Sequence, residues 1–312
     1  MTTAQEIPAE SALNVPGDVD ASTGNLDAES DIVIAGTVRE TLRVKSTGNV
    51  TIGGSIEAGA VVEAGGDVRI EGGITTQHRG MVSAGGAIYT HYCDEADLKA
   101  GGDVVVTGGV INSNIYTTGR LLIEQGALVG GTVYVRDGAV IKALGNENRL
   151  KTRIAVGINP DVLAENRRQA KDFRKQKEAS ERIRQAVQPL LAQLKRLNPQ
   201  QRERATELMY EAESIDTRVN EQMKLQNDIL AACTPAAPAE LLVTGCLFPG
   251  TVVIFADKMT TIAQEREGPV KIARRHVTRT EEIVLEEPAA GATATLVSHE
   301  YEPVSPADVQ RQ

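Results

Sequence analysis

The chain has 312 residues, of which 41% are apolar, 3% are aromatic and none is tryptophan. That length allows one large hydrophobic core or two modest ones. A net charge of −9 with few aromatic rings argues against a nucleic-acid partner, which requires a basic surface and rings for stacking. No apolar run is long enough to span a membrane, and the opening MTTAQEIPAE lacks the features of a signal peptide. We therefore expect a cytoplasmic protein without an integral membrane segment.

The stretch from Gly24 to Val140 contains a repeated phrase: a glycine, one variable residue and an aliphatic residue. Its starts are separated by 16 to 24 residues, and short alternating segments interrupted by glycine follow each one. Alternation of this kind predicts strands, and a repeat of this length predicts a β-solenoid, because one coil cannot bury its own apolar face. The phrase begins at Gly24, Gly48, Gly66, Gly86, Gly102, Gly119 and Gly138.

The repeated glycines are interpreted as corner residues whose backbone conformation a β-carbon would penalise. The variable residues are expected to form one ladder along the solenoid surface. In that ladder no two carboxylates are neighbours, which suits stacking because adjacent like charges are destabilising. The predicted ladder is Asn25, Asn49, Asp67, Ala87, Asp103, Arg120 and Ala139.

Two nearly glycine-free segments, 161–197 and 200–232, predict helices. Each follows an Asn-Pro pair, Asn159-Pro160 and Asn198-Pro199, which is typical of a helix N-terminus. The first segment has ten basic and five acidic residues, whereas the second has four and seven, which favours an antiparallel coiled-coil hairpin. Pro189 is expected to kink the first helix. The expected apolar seam comprises Ile183, Val187, Leu190, Leu194 and Leu197, facing Leu208, Ala212, Ile215 and Val219.

Beyond the TPAAPA linker (234–239), apolar alternation resumes, and these strands are expected to return to the solenoid end and cover its edge. The basic run KIARRHVTR (271–279) is interpreted as a solvated strand face. Both ends of the chain are acidic, with four acidic and no basic residues in 1–23 and seven acidic and one basic in 281–312. The predicted domains are a disordered tail (1–30), the solenoid (31–158), the hairpin (159–233), C-terminal strands (240–287) and a second disordered tail (288–312).

Several long segments resemble the Flagellar Assembly Protein A family. They are TVRETLRVKSTGNVTIGGSIEAGAVVEAGGDVRIEGGI (37–74), KAGGDVVVTGGVINSNI (99–115), KTRIAVGINP (151–160) and GCLFPGTVVI (245–254), with the helical hairpin between the last two. The resemblance covers roughly residues 31–256. It implies a mainly β fold, a right-handed parallel β-solenoid with an inserted coiled coil, and a cytoplasmic, bacterial, non-enzymatic protein of flagellar assembly. Members generally have a further domain ahead of the solenoid, and this chain is expected to lack it.

The HYCDEAD run (91–97) is the best candidate for catalysis or metal binding, since it contains His91, Cys93, Asp94, Glu95 and Asp97. Neighbouring residues of a strand alternate faces, however, so the preferred interpretation is a polar corner with one buried cysteine. His78 is interpreted as a loop residue. Cys93, Cys233 and Cys246 fit neither a disulfide framework nor a zinc site. We predict no catalytic, cofactor-binding or metal-binding residues.

Three functions are considered. The leading hypothesis is a rigid scaffold or adaptor whose projecting coiled coil binds a protein partner, linked to flagellar or cell-surface assembly, with homo-oligomerisation as a further option. The alternative is a self-polymerising cytoskeletal solenoid similar to bactofilins. A polysaccharide-active β-helix enzyme is less favoured because the chain lacks aromatic platforms for sugars. Calcium-binding β-rolls and hexapeptide acyltransferases are disfavoured by the repeat itself, since only two phrases contain aspartate and none divides into six-residue steps.

Overall fold

Short strands in which alternate residues are buried form most of the protein, as the glycine-interrupted alternation predicts. The computed structural model describes residues 12–192, 198–277, 280–288 and 291–301. The chain divides into two units: one contains all the strands, and the other contains the two helices between Asp161 and Thr234. The strands before the helices are β1 (Leu13–Val15), β2 (Leu26–Ala28), β3 (Ile32–Ile34), β4 (Arg43–Ser46), β5 (Val50–Ile52), β6 (Val61–Ala64), β7 (Val68–Ile70), β8 (Gly73–Ile74), β9 (Met81–Ala84), β10 (Ile88–Thr90), β11 (Tyr92–Asp94), β12 (Asp97–Ala100), β13 (Val104–Val106), β14 (Val110–Ile111), β15 (Asn114–Thr117), β16 (Leu121–Val129), β17 (Thr132–Val135), β18 (Ala139–Leu144) and β19 (Arg153–Val156).

The rest of the chain contains the two helices and the closing strands. These elements are α1 (Pro160–Ala192), α2 (Pro199–Cys233), β20 (Glu240–Val243), β21 (Cys246–Leu247), β22 (Val252–Phe255), β23 (Lys258–Thr261), β24 (Arg266–Glu267), β25 (Val270–Val277), β26 (Thr280–Glu287), β27 (Ala292–Thr295) and β28 (His299–Glu300).

The coils stack as parallel strands in register, which confirms the predicted β-solenoid of about eight turns. Within the described residues the strands form one sheet of 17 strands, here called sheet A, and one of 11, sheet B. Each coil contributes to both sheets, and the inward side chains of successive coils lie directly above one another. One such buried column is Ile32, Val50, Val68, Ile88, Val104, Leu121, Ala139 and Leu241, none more than 4% exposed. Burying each aliphatic side chain of this kind contributes about 1.5–3 kcal/mol. The handedness of the coil stays a prediction.

The helices are inserted at one corner between two consecutive coils. Strand β18 pairs in parallel with β20, and β19 with β22, so the coil after the helices stacks directly on the coil before them. At the same corner of an earlier coil, the three residues Gly101-Gly102-Asp103 are enough to connect β12 to β13. The solenoid register is therefore continuous across the insertion.

The last coil is covered by antiparallel strands, as the sequence predicts. Strands β20, β21 and β22 pair with β25, β24 and β23 respectively. Strand β26 then continues sheet A beside β25, and β27 pairs with β26. The switch from parallel to antiparallel pairing ends the stacking of coils at this end.

The predicted disordered tails are wrong over their described parts. Strand β1 pairs in parallel with β3, and β2 with β4, so a complete coil lies within residues 12–30. At the other end, β27 and β28 fall within the predicted tail 288–312. In the first segment, the acidic composition masks inward apolar residues such as Val19, which is fully buried, whereas β27 and β28 consist of exposed residues. Residues 1–11 and 302–312 lie outside the described residues.

The predicted ladder of variable residues is correct at its centre and wrong at its two ends. Asn49, Asp67, Ala87, Asp103 and Arg120 occupy one column of sheet A. Asn25 instead precedes a strand of sheet B, and Ala139 pairs with Leu121, one residue out of register. The true neighbour of Asn49 on the preceding coil is Asp31, whose Oδ1 accepts a hydrogen bond from the Asn49 amide at 2.7 Å.

The same contact explains the glycine of the phrase, and it corrects the predicted reason. Asp67 Oδ1 accepts a hydrogen bond from the Ala87 amide of the next coil at 2.8 Å. A β-carbon on Gly86 would lie 2.0 Å from that oxygen. Among the phrase glycines, only Gly24 and Gly138, the two outside the ladder, have a positive φ. Each glycine that precedes a ladder residue is therefore required because atoms of the preceding coil lie too close for a β-carbon. A left-handed backbone is not the reason.

Left-handed residues occur at a different corner, two residues before the strands of sheet B. The φ angles there are 64° at Thr41, 70° at Gly59, 47° at Glu95, 45° at Asn112 and 72° at Gly130. This conformation is easy for glycine and costly for a residue with a β-carbon. The sequence does not reveal this corner because glycine occupies it in only some coils.

Candidate interaction surfaces

The second helix begins at the predicted Asn-Pro pair. Asn198 Oδ1 accepts a hydrogen bond from the Gln201 amide at 2.8 Å, and Gln201 Oε1 accepts one from the Asn198 amide at 3.1 Å. This reciprocal capping box satisfies two amide donors that the helix leaves free, and Pro199 has no amide to satisfy. The first helix begins at Pro160, also as predicted, and continues through Pro189 to Ala192.

Small residues form the seam between the two antiparallel helices. On α2, Ala205, Ala212 and Val219 recur every seven residues and are at most 1% exposed. On α1, Ser180 and Val187 are buried to the same degree with the same spacing. Ser180 Oγ donates a hydrogen bond to the Ala212 carbonyl oxygen at 3.1 Å, which sets the register of the two helices. Seven-residue spacing of buried positions is the pattern of a coiled coil.

The predicted seam is partly right. Val187, Ala212 and Val219 are buried, but Leu190 is 42% exposed. Ile183, Leu208 and Ile215 are only half-buried, and Leu194 and Leu197 lie outside the described residues. The prediction missed Ser180 and Ala205 because it searched for large aliphatic residues. The narrow seam instead uses small side chains, which bring the two backbones close together.

Charge contributes less to pairing of the helices than the sequence suggests. In the part of the hairpin that the structure describes, Arg184 and Asp216 form an ion pair between the helices, with 2.5 Å between Nη2 and Oδ2. Three other pairs each lie within a single helix: Glu165 with Arg168, Asp172 with Lys175, and Arg204 with Glu207. Pairs of this kind support the helix in which they lie and do not join the two helices.

Comparison with known families agrees with this architecture. Residues 11–279 match the family described as Flagellar Assembly Protein A beta solenoid domain. The chain belongs to this family. The matched range includes the first coil, the helical insertion and most of the antiparallel cover, so it starts earlier than the resemblance in the sequence indicated. Comparisons with curated proteins and with solved structures gave no significant match.

In this member of the Flagellar Assembly Protein A family, the HYCDEAD side chains diverge. Cys93 points into the core at 1% exposure, and burial raises the pKa of its thiol to about 12. A thiol with that pKa is protonated at neutral pH and is a poor nucleophile. His91 instead contacts the next coil, with 2.8 Å between its Nδ1 and Thr107 Oγ1. Glu95 occupies the left-handed corner.

Asp97, the last residue of that run, meets two polar side chains of other coils. Its Oδ1 lies 3.1 Å from His78 Nδ1 and accepts a hydrogen bond from Asn114 Nδ2 at 2.8 Å. These three residues come from successive coils, so their contact ties the coils together at the surface. Among the described residues, no group of three or more histidine, cysteine and acidic side chains has the geometry to hold a metal ion.

The basic run at 271–279 is an ion-pair network more than a solvated face. Lys271 Nζ lies 2.8 Å from one carboxylate oxygen of Glu240, and Arg275 Nη2 lies 2.7 Å from the other. Arg274 contacts Asp257 at 3.0 Å and also Glu281. The positive charges are therefore matched by acids of the same unit. The last two residues of the run, 278 and 279, lie outside the described residues.

The three cysteines are free thiols. Neither α1 nor α2, over its described residues, has a stretch apolar enough to cross a bilayer.

Proposed function

We propose that this protein is a non-enzymatic scaffold or adaptor of flagellar assembly, in which the helical hairpin binds a protein partner and the solenoid provides a stiff support. The proposal extends a family membership that links the chain to flagellar assembly and to a structural role. We also propose that the protein acts in the cytoplasm.

One observation supports it above the others. The solenoid register is unbroken across the helices, and a three-residue corner serves the same connection in an earlier coil. The hairpin is therefore not needed to complete the stack of coils. Long insertions at surface corners are commonly the functional segments of a rigid fold.

Two features favour this proposal over its alternatives. The antiparallel strands β23, β24 and β25 cover the last coil, which opposes end-to-end joining of solenoids at that end as in a bactofilin-like filament. The residues considered for catalysis, Cys93 and its neighbours, point in different directions and do not converge on one site, as a nucleophile and its base must.

The test replaces residues 157–240 with Gly-Gly-Asp, the short corner found at 101–103. The intact and the shortened chains are expressed in native cells from which the gene has been removed, and flagellar filaments are counted by electron microscopy. We expect the intact chain to restore the filaments and the shortened chain to fail, although both accumulate equally. Full restoration by the shortened chain would overturn the role of the hairpin.

Affinity purification of the same two chains gives the matching biochemical measurement. We expect flagellar proteins to be retained by the intact chain and lost from the shortened one. An identical set of proteins retained by both would place the partner on the solenoid instead.

A further inference from the structure

The hairpin has two parallel stripes of residues along each helix, and its own helices bury one stripe completely and the other only in part. On α2, the buried stripe of Ala205, Ala212 and Val219 is accompanied, three residues later, by Leu208 and Ile215. These larger side chains are only half-buried, and Ile229, two heptads beyond Ile215, is 51% exposed. The helix thus buries its small residues completely and leaves its larger aliphatic ones in contact with water.

The first helix repeats the same arrangement. Ser180 and Val187 are buried, and three residues later Ile183 is half-buried and Leu190 is 42% exposed. Because the helices are antiparallel, equal offsets from the seam place both second stripes on the same side of the hairpin. We call this side the aliphatic face, defined by Ile183, Leu190, Leu208, Ile215 and Ile229.

The internal seam is thin for helices of this length. In the described residues of the hairpin, the buried apolar side chains are Val187, Ala205, Ala212 and Val219. None of these four is larger than valine, and two are alanine. Long helices obtain most of their stability from packing an apolar face, and helix pairs commonly complete that packing by forming a four-helix bundle. The aliphatic face is the surface available for such a second layer.

Charges beside the aliphatic face match those of a second copy. Counting turns from the Ser180–Ala212 contact, Arg182 of α1 stands near the height of Glu211 of α2, and Asp172 near that of Arg218. In a pair of hairpins related by a two-fold axis along their length, α1 of each copy lies over α2 of the other. Arg182 then faces Glu211 and Asp172 faces Arg218, which are opposite charges in both cases. Symmetric two-fold association is the commonest form of homo-oligomer.

We propose that two copies of this chain associate through the aliphatic faces of their hairpins and form a four-helix bundle, in which the two hairpins point the same way and each helix is antiparallel to its neighbours. This inference rests on the proposed function, in which the hairpin binds protein. It adds that one protein bound by the hairpin is a second copy of this chain. Such a dimer would bring two solenoids, each a stiff support, to one assembly.

The first test measures the mass of the full chain by sedimentation velocity over a dilution series. We expect a dimer for the natural sequence. The double variant Leu190→Glu/Ile229→Glu introduces charges at two exposed positions of the aliphatic face and should weaken association by tenfold or more. The control is Tyr210→Glu, a change at a 69% exposed residue that helical spacing places away from this face. It should leave the dimer intact.

Circular dichroism at the helical minimum accompanies each measurement. An unchanged helical signal in the double variant attributes the loss of mass to the interface and not to unfolding of the hairpin. A natural chain that stays monomeric at about 100 µM, a concentration that reveals even weak self-association, would overturn the proposal. So would a dimer that persists after residues 157–240 are replaced by Gly-Gly-Asp.

A charge-reversal experiment tests the orientation. Neither Arg182 nor Glu211 forms an ion pair within the described part of the chain. Arg182→Glu alone and Glu211→Arg alone should each weaken the dimer severalfold, and the two changes in one chain should restore it, because each copy then supplies the reversed partner of the other. Additive weakening in the double variant would contradict the parallel two-fold arrangement.

Failure of this inference is distinguishable from failure of the proposed function. A monomeric chain whose hairpin is still required for flagellar filaments would remove the dimer and keep the adaptor. If the purified chain forms a dimer that requires the hairpin, but cells assemble filaments without the hairpin, the dimer would stand and the adaptor role would be removed.

Discussion

At the scale of single residues, the solenoid depends on a contact between a glycine and a polar side chain of the preceding coil. Asp67 reaches over Gly86 to accept the Ala87 amide, and Asn49 reaches over Gly66 to accept the Asp67 amide at 2.8 Å. The sequence shows the glycine and the polar residue but places them in the same coil. Only the register shows that the polar residue of one coil requires the glycine of the next.

Gly86→Ala should therefore destabilise the solenoid by about 1–3 kcal/mol, because the new β-carbon would overlap the Asp67 carboxylate and displace its hydrogen bond. Gly102 is the matched control, since the preceding coil has Ala87 in place of an acidic or amide side chain. A β-carbon there would meet backbone atoms at 3.0 Å or more. Gly102→Ala should cost clearly less, as measured by the midpoint of urea unfolding. Equal losses would contradict the role of the carboxylate.

Thr41 offers the reverse test at the left-handed corner. Its φ of 64° is unfavourable for a β-branched residue. Thr41→Gly should raise the stability by up to about 1 kcal/mol, because relief of the strained backbone exceeds the entropy cost of glycine in the unfolded chain. Gly59→Thr, at the same corner of the next coil, should lower it. Thermal unfolding of both variants beside the natural chain gives the sign, and a shift in the same direction for both would refute this explanation.

At the scale of elements, helix boundaries were predictable and the packing of the helices was not. The Asn-Pro pairs mark the starts of both helices: α1 begins at Pro160, and Asn198 caps α2, which is a local effect that the sequence contains. Which of two neighbouring stripes is buried between the helices depends on how closely the two backbones approach. The sequence of one helix alone does not determine that distance. Ala205, Ala212 and Ser180 are buried at the seam because small residues allow the closest contact, and the larger aliphatic residues beside them stay half-buried or exposed.

Ala212→Leu should consequently open the hairpin, although the change replaces one apolar residue by another. Ala212 is fully buried and its carbonyl oxygen accepts the Ser180 hydroxyl, so there is no room for a longer side chain. Overpacking of this kind costs about 1–3 kcal/mol. We expect a lower melting temperature of the helical circular dichroism signal with an unchanged β signal. Ser214→Leu, at an exposed position of the same helix, is the control and should change neither.

The antiparallel cover is expected to weaken in acid through Glu240. Burial raises the pKa of this carboxyl, but hydrogen bonds and charge from Lys271 and Arg275 outweigh it, so the net pKa lies below the usual value. A lowered pKa in the folded state contributes stability above the pKa of the unfolded chain, and that contribution disappears as the pH falls through the folded pKa. The difference in unfolding midpoint between the natural chain and Glu240→Gln should therefore be largest at neutral pH and shrink in acid. A difference independent of pH would rule out this ion-pair contribution.

At the scale of the whole molecule, the repeat predicted the class of fold because stacking is the only way for such short coils to bury their apolar faces. It did not predict the extent of the solenoid. The coil at 12–30 was assigned to an acidic tail because its exposed residues are charged, while its few inward residues, such as Val19, are buried as completely as those of later coils. Composition averages the two faces of a strand, whereas the fold depends on one of them.

The strand register that continues from the coil before the helices to the coil after them leads to a prediction about the two units. If the hairpin is an independent insertion, replacing residues 157–240 with Gly-Gly-Asp should connect β19 to Leu241 by a corner that already exists between Ala100 and Val104. Because the coil from β20 to β22 pairs with β18 and β19 through backbone hydrogen bonds and buried aliphatic columns, it should still stack in place. The shortened chain should keep the β signal of the natural protein and lose the helical signal. It should unfold at the temperature of the Glu240→Asp variant, because the replacement also puts an aspartate in place of Glu240. Aggregation of the purified shortened chain, or loss of its β signal, would mean that the hairpin is required for the last coil and its antiparallel cover to form.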